Sequence, residues 1–403
     1  MFRTMCMVCR SSDLQTIIDL GMHPFADTFI PESRLSEPDL HYPLACDLCL
    51  SCGHIQSRCE TDPVVRYSDH DYSYTSSNST VSRAHWENYA GNVSARTGLQ
   101  PGDLVVEVGS NDGYLLEQFR RSDVRVLGID ASPAMQRLAA ERGIETLVGL
   151  FGPEMARKAK DNAGPAKLVV ANNVLNHSED VVSFVAGARD LLASDGTFIF
   201  ELPYWPDGIR DGHFDQIYHE HVSYLTARSS DRIVREAGLA ITDVELISYH
   251  GGSIRVYAKP VRGATTPCDG ITRLIQQETG EKIFDPAMYR DFMAGIQARR
   301  SRFLEEIHRL SANGVVIVAV GAAAKGNTLL NYYRLDPTTI TCVTDSSPLK
   351  QGKYTPGTRI PIRDDKVLAG YGRVAALILS WNLTDVLKRI LHGLNPQISF
   401  LQP

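Results

Sequence analysis

The chain contains no long apolar run. Its best candidate, residues 315–324, is interrupted by a glycine and is about half the ~20 residues that a membrane-spanning helix needs, so a buried strand is expected there. The first residues, MFRTMCMVCR, have neither the apolar core nor the small-residue cleavage site of a signal peptide, which points to the cytoplasm and away from any membrane. There is no basic excess either. A net charge of -6 and a pI near 6.1 argue against a nucleic-acid partner, because phosphate binding wants a positive surface. Cysteine is nearly absent beyond residue 60, where only Cys268 and Cys342 remain, so no disulfide framework runs through the chain.

What is present is concentrated. Residues 1–60 hold Cys6-x-x-Cys9 and Cys49-x-x-Cys52-Gly53, and two such pairs can close a four-thiolate shell around Zn²⁺. A closed shell leaves no open position, so the metal would be structural. Cys46 forms a further C-x-x-C with Cys49 and leaves the ligand set ambiguous; the glycine after Cys52 favours Cys6, Cys9, Cys49 and Cys52. A nucleic-acid zinc ribbon is the rival reading of these pairs, and the acidic balance opposes it.

At 403 residues the chain is too long for one core. Residues 98–260 alternate strand-like and helical patterns, the signature of a parallel βαβ sheet, with strands expected at 104–108, 124–129, 168–171 and 197–201. A linker, GATTPCDG, leads to helical patterns that stop at Asn313-Gly314. A second strand–glycine–helix unit, VVIVAVGAAAKGNTLLNYY, follows.

The first glycine turn, LVVEVGSNDGYLLEQF, departs from the G-x-G-x-x-G of dinucleotide folds. Glu107 precedes Gly109, and Asn111, Asp112 and Gly113 follow. Carboxylates would repel a pyrophosphate but suit a cationic ligand. S-adenosylmethionine, with its ammonium, sulfonium and ribose hydroxyls, fits. Asp130 ends the next strand, where a carboxylate can take both ribose hydroxyls. Asn172, Asn173, Asn176 and His177, in VVANNVLNHSED, belong at the C-terminal strand ends, where ligands bind in open sheets.

Residues 217–224, IYHEHVSY, crowd two histidines, a glutamate and two tyrosines together. A helical turn would set Tyr218 beside His221, whereas an extended segment would pair Tyr218 with Glu220 and His219 with His221. Further on, HGGSIR sets His250 in a tight polar turn and offers Arg255 to a phosphate, and GAAAKGN offers Lys325 and Asn327 to a sugar diphosphate at a helix start. That lysine does not sit in a Walker loop, so ATP hydrolysis is not indicated.

Taken in order, the C-x-x-C pairs, E-x-G-S-N-D-G, NNVLNH, FDQIYHEHVSYL, HGGSIRVY and GAAAKGNTLL resemble the nucleotide-sugar C-methyltransferases, over nearly the whole chain. The resemblance implies an α/β protein. A class I S-adenosylmethionine methyltransferase domain (71–260) would be flanked by a zinc-binding domain (1–70) and a second Rossmann-like domain that holds the sugar nucleotide (261–403). The implied reaction is C-methylation of a dTDP-4-keto-deoxysugar at C3, through an enolate. Methylation at C5, or at a hydroxyl oxygen, is the alternative. The family's proposed base corresponds to His221, with Tyr218, Glu220, His177 and Tyr72 around it. Cofactor contacts are expected at Glu107, Gly109, Ser110, Asn111, Asp112, Gly113, Asp130, Ser132, Asn172 and Asn173. Substrate contacts are expected at Tyr74, Ser77, Asn176, His250, Arg255, Lys325 and Asn327. A monomer is expected.

Overall fold

The computed structural model describes residues 2–62, 75–261 and 267–402, so Tyr72 and Tyr74 lie outside the described residues. The cysteine-rich region forms an antiparallel sheet in which Leu14–His23 pairs with Tyr42–Cys49, and that strand with Ile55–Ser57. Its fourth strand comes from far along the chain. Ser223–Tyr224, just past the YHEH segment, adds antiparallel to Ile55–Ser57.

Seven strands make the central sheet: β1 (Leu104–Val108), β2 (Arg125–Asp130), β3 (Thr146–Val148), β4 (Ala166–Asn172), β5 (Leu192–Pro203), β6 (Leu239–Ile247) and β7 (Ser253–Pro260). Their order is β3-β2-β1-β4-β5-β7-β6, all parallel except β7, which runs antiparallel to both neighbours. This is the order of class I S-adenosylmethionine methyltransferases. The four strands expected from sequence are all present, β5 being longer than its apolar pattern at both ends.

Both faces of this sheet are covered, which explains why β1 is apolar at every position but Glu107. Val105, Leu168 and Val170 point to one side, against Trp86, Tyr89 and Val93 of helix Thr80–Thr97. That helix starts on a capping box between Ser79 and Ser82. Val106, Val108, Val169 and Ala171 point the other way, into a core shared with Phe184, Ile233 and the zinc-knuckle residues Cys6, Met7 and Cys49.

The C-terminal part opens with helices Asp269–Gly280 and Pro286–Ala312, the latter ending at the expected Asn313-Gly314. A five-stranded parallel sheet follows, ordered Ile362–Arg363, Val343–Thr344, Val316–Val320, Val374–Ile378, Ile398–Leu401. One apolar cluster joins Ile18, Leu48 and Ile55 of the cysteine-rich sheet to Ile217 and Tyr224, and to Leu330 and Tyr333 of helix Ala324–Tyr333. The YHEH segment is therefore clamped where the three parts meet.

Candidate active site

The Sγ atoms of Cys6, Cys9, Cys49 and Cys52 all lie within 4.8 Å of one another, with Cys6–Cys52 and Cys9–Cys49 at 3.6 Å. Tetrahedral Zn–S bonds of about 2.3 Å imply sulfur–sulfur edges of about 3.8 Å, so the four atoms fit zinc. The hydrogen bond from Cys52 draws the Cys6 thiol down to about 4 while Cys52 itself is pushed up. Cys46 is not in the cluster; it is fully buried and its thiol is pushed up by burial.

The glycine turn borders a cavity of about 930 Å³. Gly109 has φ +72°, and a Cβ there would stand 2.9 Å from that of Val174. The turn closes on Asp130, whose Oδ2 accepts from the Asn111 N–H at 2.8 Å while Oδ1 accepts from the Ser132 N–H at 2.8 Å. Glu107 is buried on the cavity wall, and its Oε2 has no hydrogen-bond partner among the described residues. Burial, reinforced by Asp112 and Asp130, pushes its carboxyl well above the usual range. An orphaned buried acceptor beside a second carboxylate calls for a cation carrying hydroxyls, which S-adenosylmethionine is.

Gly109, Asn111, Asp130, Ser132, Asn172 and Asn173 share this wall. Ser110, Asp112 and Gly113 do not. Gly113 instead caps helix Tyr114–Arg120, and the Ser110 hydroxyl is packed over Gly128. Asp112 accepts from the hydroxyls of Ser76 and Ser77 and pairs with Arg142 at 3.4 Å. Ser77 is thus a buttress of the loop and is not on the cavity wall.

Residues 218–221 form a turn in which the His221 N–H donates to the Tyr218 carbonyl at 2.9 Å. The helical-turn alternative is the one realised. The Tyr218 hydroxyl lies 2.6 Å from His221 Nε2, and His221 Nδ1 lies 2.9 Å from the Gln216 carbonyl oxygen. A carbonyl only accepts, so Nδ1 carries the hydrogen and Nε2 accepts from the phenol. Burial holds this imidazole down to about 4, hence neutral. His177 stands 5.2 Å from it, centroid to centroid, and Glu220 shares the cavity wall with both. His219 turns the other way, edge-on to Phe25 and Tyr42. Asn176 accepts from the Val222 N–H through its carbonyl.

The opposite wall belongs to the C-terminal sheet. Gly321 has φ +86°, and Asp345 accepts from the Ala322 N–H at 2.7 Å and from the Ser347 N–H at 2.8 Å. This repeats the clasp made by Asp130, and the sequences agree: Asp130-Ala-Ser-Pro and Asp345-Ser-Ser-Pro. Lys325 lies 3.8 Å from the centre of the Trp381 ring and donates to Asn382; burial brings it down to about 8, opposed by Asp215. Lys350 donates to the Ala322 carbonyl at 2.5 Å. His250, with φ +56°, also lines the cavity, and burial pushes its imidazole to about 3.

Besides Ser77, three expected phosphate or sugar contacts are not at this cavity: Asn176, which lines a separate small pocket beside His221, Arg255 and Asn327. Arg255 lies opposite Glu201 in the β7–β5 register, and its guanidinium grips that buried carboxylate at 2.7 and 2.6 Å. Asn327 donates to the Ala26 carbonyl at 2.6 Å and so ties the helix to the cysteine-rich part. Sequence reasoning missed Asp27, Tyr249, Asp345 and Lys350, which all border the cavity. The Ser-Pro dipeptide shared after Asp130 and Asp345 was the available signal for one of them.

Three family models match the chain: a zinc binding domain over residues 6–67, a methyltransferase domain over 84–244, and a C-methyltransferase C-terminal domain over 248–397. C-methyltransferase NovU of Streptomyces niveus is 31% identical over 377 residues, covering 94% of this chain and 89% of that protein. The ubiquinone biosynthesis O-methyltransferase of Burkholderia pseudomallei (strain 1710b) is 25% identical over 162 residues, 37% of this chain and 70% of that protein. Among solved structures, magnesium protoporphyrin IX methyltransferase from Synechocystis PCC 6803 with bound SAH is similar at 15% identity and a TM-score of 0.36, over 45% of this chain and 88% of that one. The acidic glycine turn, the four-sulfur knuckle and the matches along the whole chain lead to one statement: this is a zinc-binding, S-adenosylmethionine-dependent enzyme that belongs to the C-methyltransferase family.

Proposed function

We propose that the enzyme methylates the carbon next to the ketone of a dTDP-4-keto-6-deoxysugar, at C3. The supporting observation is that one cavity is bordered by the Asp130 clasp, the Asp345 clasp and the Tyr218–His221 pair. Two nucleoside-sized ligands, each held at a glycine turn, would face each other across that pair. Lys325 and Lys350 supply positive charge on the Asp345 side, where a diphosphate would lie.

Glu107, Asp130 and the Gly109 turn would hold S-adenosylmethionine, which supplies an electrophilic methyl group when bound. The remaining chemistry belongs to the chain. Carbon becomes nucleophilic only when the neighbouring carbonyl takes up its C–H electron pair. The Tyr218 hydroxyl first turns from Nε2 to the carbonyl oxygen, where it stabilises the enolate. The Nε2 lone pair of the neutral His221, freed by that turn, accepts the C3 proton. A base held near 4 is weak in the empty site, but enolate charge beside it favours the imidazolium. Glu220 and His177 orient the pair, and Tyr72, Tyr74 and His250 are proposed sugar contacts.

The proposed domain limits are 1–70, 71–260 and 261–403. The second limit is supported by strand β7, Ser253–Pro260, which is hydrogen-bonded into the central sheet. The reaction is tested by incubating enzyme and keto sugar in D₂O without cofactor. Deuterium should enter C3, and adding S-adenosylmethionine should then give a singly methylated sugar nucleotide by mass spectrometry. Methylated product without prior exchange would point to oxygen as the acceptor. No methylated product from a panel of dTDP-keto sugars would overturn the substrate class.

A further inference from the structure

The peptide unit at Val222 joins three elements. Its N–H donates to the Asn176 carbonyl at 2.9 Å, next to His177, and its carbonyl accepts from the Ser57 N–H at 2.9 Å. His221 is the preceding residue. The next one, Ser223, pairs with Gln56 across the strand register. Gln56 is fully buried. Its Oε1 accepts from the Met7 N–H at 2.8 Å and its Nε2 donates to the Met5 carbonyl at 3.1 Å, so it grips the Cys6-x-x-Cys9 knuckle from both sides of Cys6. Just before that strand, His54 lies two residues after Cys52, with its Nε2 3.4 Å from the Ser223 hydroxyl. The Cys49 N–H donates to the His54 carbonyl at 2.8 Å. Both knuckles are thus hydrogen-bonded to the strand that carries the end of the His221 turn.

We propose that Gln56 is a positioning residue for the catalytic turn, and that the zinc knuckle sets the placement of His221 as well as holding the N-terminal sheet together. The physical argument is one of leverage. Residues 218–221 are a single turn with no helix or long strand of their own. Their register is fixed by the two-residue strand Ser223–Tyr224, which cannot hold itself in water. It is held by Ile55–Ser57, only three residues long, which pairs on its other side with Tyr42–Cys49, the strand that ends at the second knuckle, and grips the first knuckle through Gln56. A displacement of about 1 Å at a reacting group costs about a hundredfold in rate. Freeing this strand therefore reaches the base without touching Asp130 or Glu107. The inference rests on His221 being the base; the exchange measurement below reads the turn itself and so separates the two.

The test is Gln56→Met in the full chain, which keeps the side-chain length and removes both hydrogen bonds. It should retain one zinc per chain by elemental analysis and bind S-adenosylmethionine within about twofold of the parent by calorimetry. Its kcat should fall about tenfold to a hundredfold with little change in KM. Gln56→Glu, which keeps only the acceptor for Met7, should lie between. Amide exchange by mass spectrometry should quicken at residues 218–224 and stay native in strand β1. A kcat within twofold of the parent with zinc retained, or unchanged exchange at 218–224, overturns the proposal. Should Gln56→Met fail to fold, chelation of the native enzyme gives the same readings. Exchange at 218–224 and kcat should then change together as zinc leaves while cofactor binding persists, and a zinc-free enzyme with native turnover overturns the idea.

Discussion

The Tyr218 hydroxyl donates to Nε2 of His221 across 2.6 Å, and the opposite ring nitrogen of that histidine is fixed on the Gln216 carbonyl. The tautomer is therefore set by the backbone, and the lone pair has one direction in which to act. Replacing His221 by Asn should lower kcat by about a hundredfold to ten-thousandfold, the worth of a general base. Cofactor affinity by calorimetry should stay within a few-fold, since His221 is remote from the Asp130 clasp in sequence and bonding. Turnover near the parent's would remove it from the mechanism.

Tyr218→Phe leaves the imidazole in place but takes away the donor proposed for the enolate oxygen. The loss in kcat should be about a hundredfold or more, as for other oxyanion donors. Deuterium uptake at C3 should slow with it. Fast exchange with slow methylation would instead place Tyr218 in the methyl-transfer step.

The low imidazole pKa makes a prediction about pH. Burial lowers His221 from 6.5 to about 4, and the neutral form is the proposed base. The acid limb of kcat/KM should therefore fall near pH 4 and not near pH 6.5. ¹⁵N spectra should show one ring nitrogen protonated and one bare from pH 8 down to about 5. An inflection near 6.5 in both measurements would contradict the buried geometry.

Glu107→Gln should separate binding from stability. The native carboxyl is raised in the folded, ligand-free chain, so it stabilises the fold at low pH and loses that contribution as pH rises through the folded value. The glutamine variant should thus gain in melting temperature over the parent as pH increases. Its affinity for S-adenosylmethionine should drop about tenfold to a hundredfold through loss of a charged contact. Equal affinities would remove Glu107 from the cofactor site.

Arg255→Met should act on the fold and leave KM alone. It abandons Glu201, which has no solvent exposure, to a single remaining partner among the described residues, His85 Nε2 at 2.7 Å. Breaking a buried pair in this way costs about 3–5 kcal/mol, visible as a lower thermal midpoint. A stable variant with a raised KM for the sugar nucleotide would restore the phosphate role expected from sequence.

The parts of the site that were legible in the sequence follow from local rules. Glu107, Gly109 and Asp130 could be placed because strand ends and glycine turns are short-range patterns, and the paired cysteines because their spacing encodes the knuckle. Arg255 and Asn327 could not, since their partners, Glu201 and the Ala26 carbonyl, are set by strand register and by packing between distant segments. The YHEH segment was ambiguous for the same reason. A turn and an extended strand use the same residues, and the choice was made by residues 55–57, more than 150 positions away.

The twin carboxylate clasps at Asp130 and Asp345 carry an evolutionary consequence. On the proposed reading, methyl donor and sugar acceptor are cradled by separate halves built to one plan, and the proton-moving turn belongs to the seam between them. Drift in the wall around Asp345 can alter acceptor preference while the donor half stays untouched, so relatives with divergent sugars should differ there first.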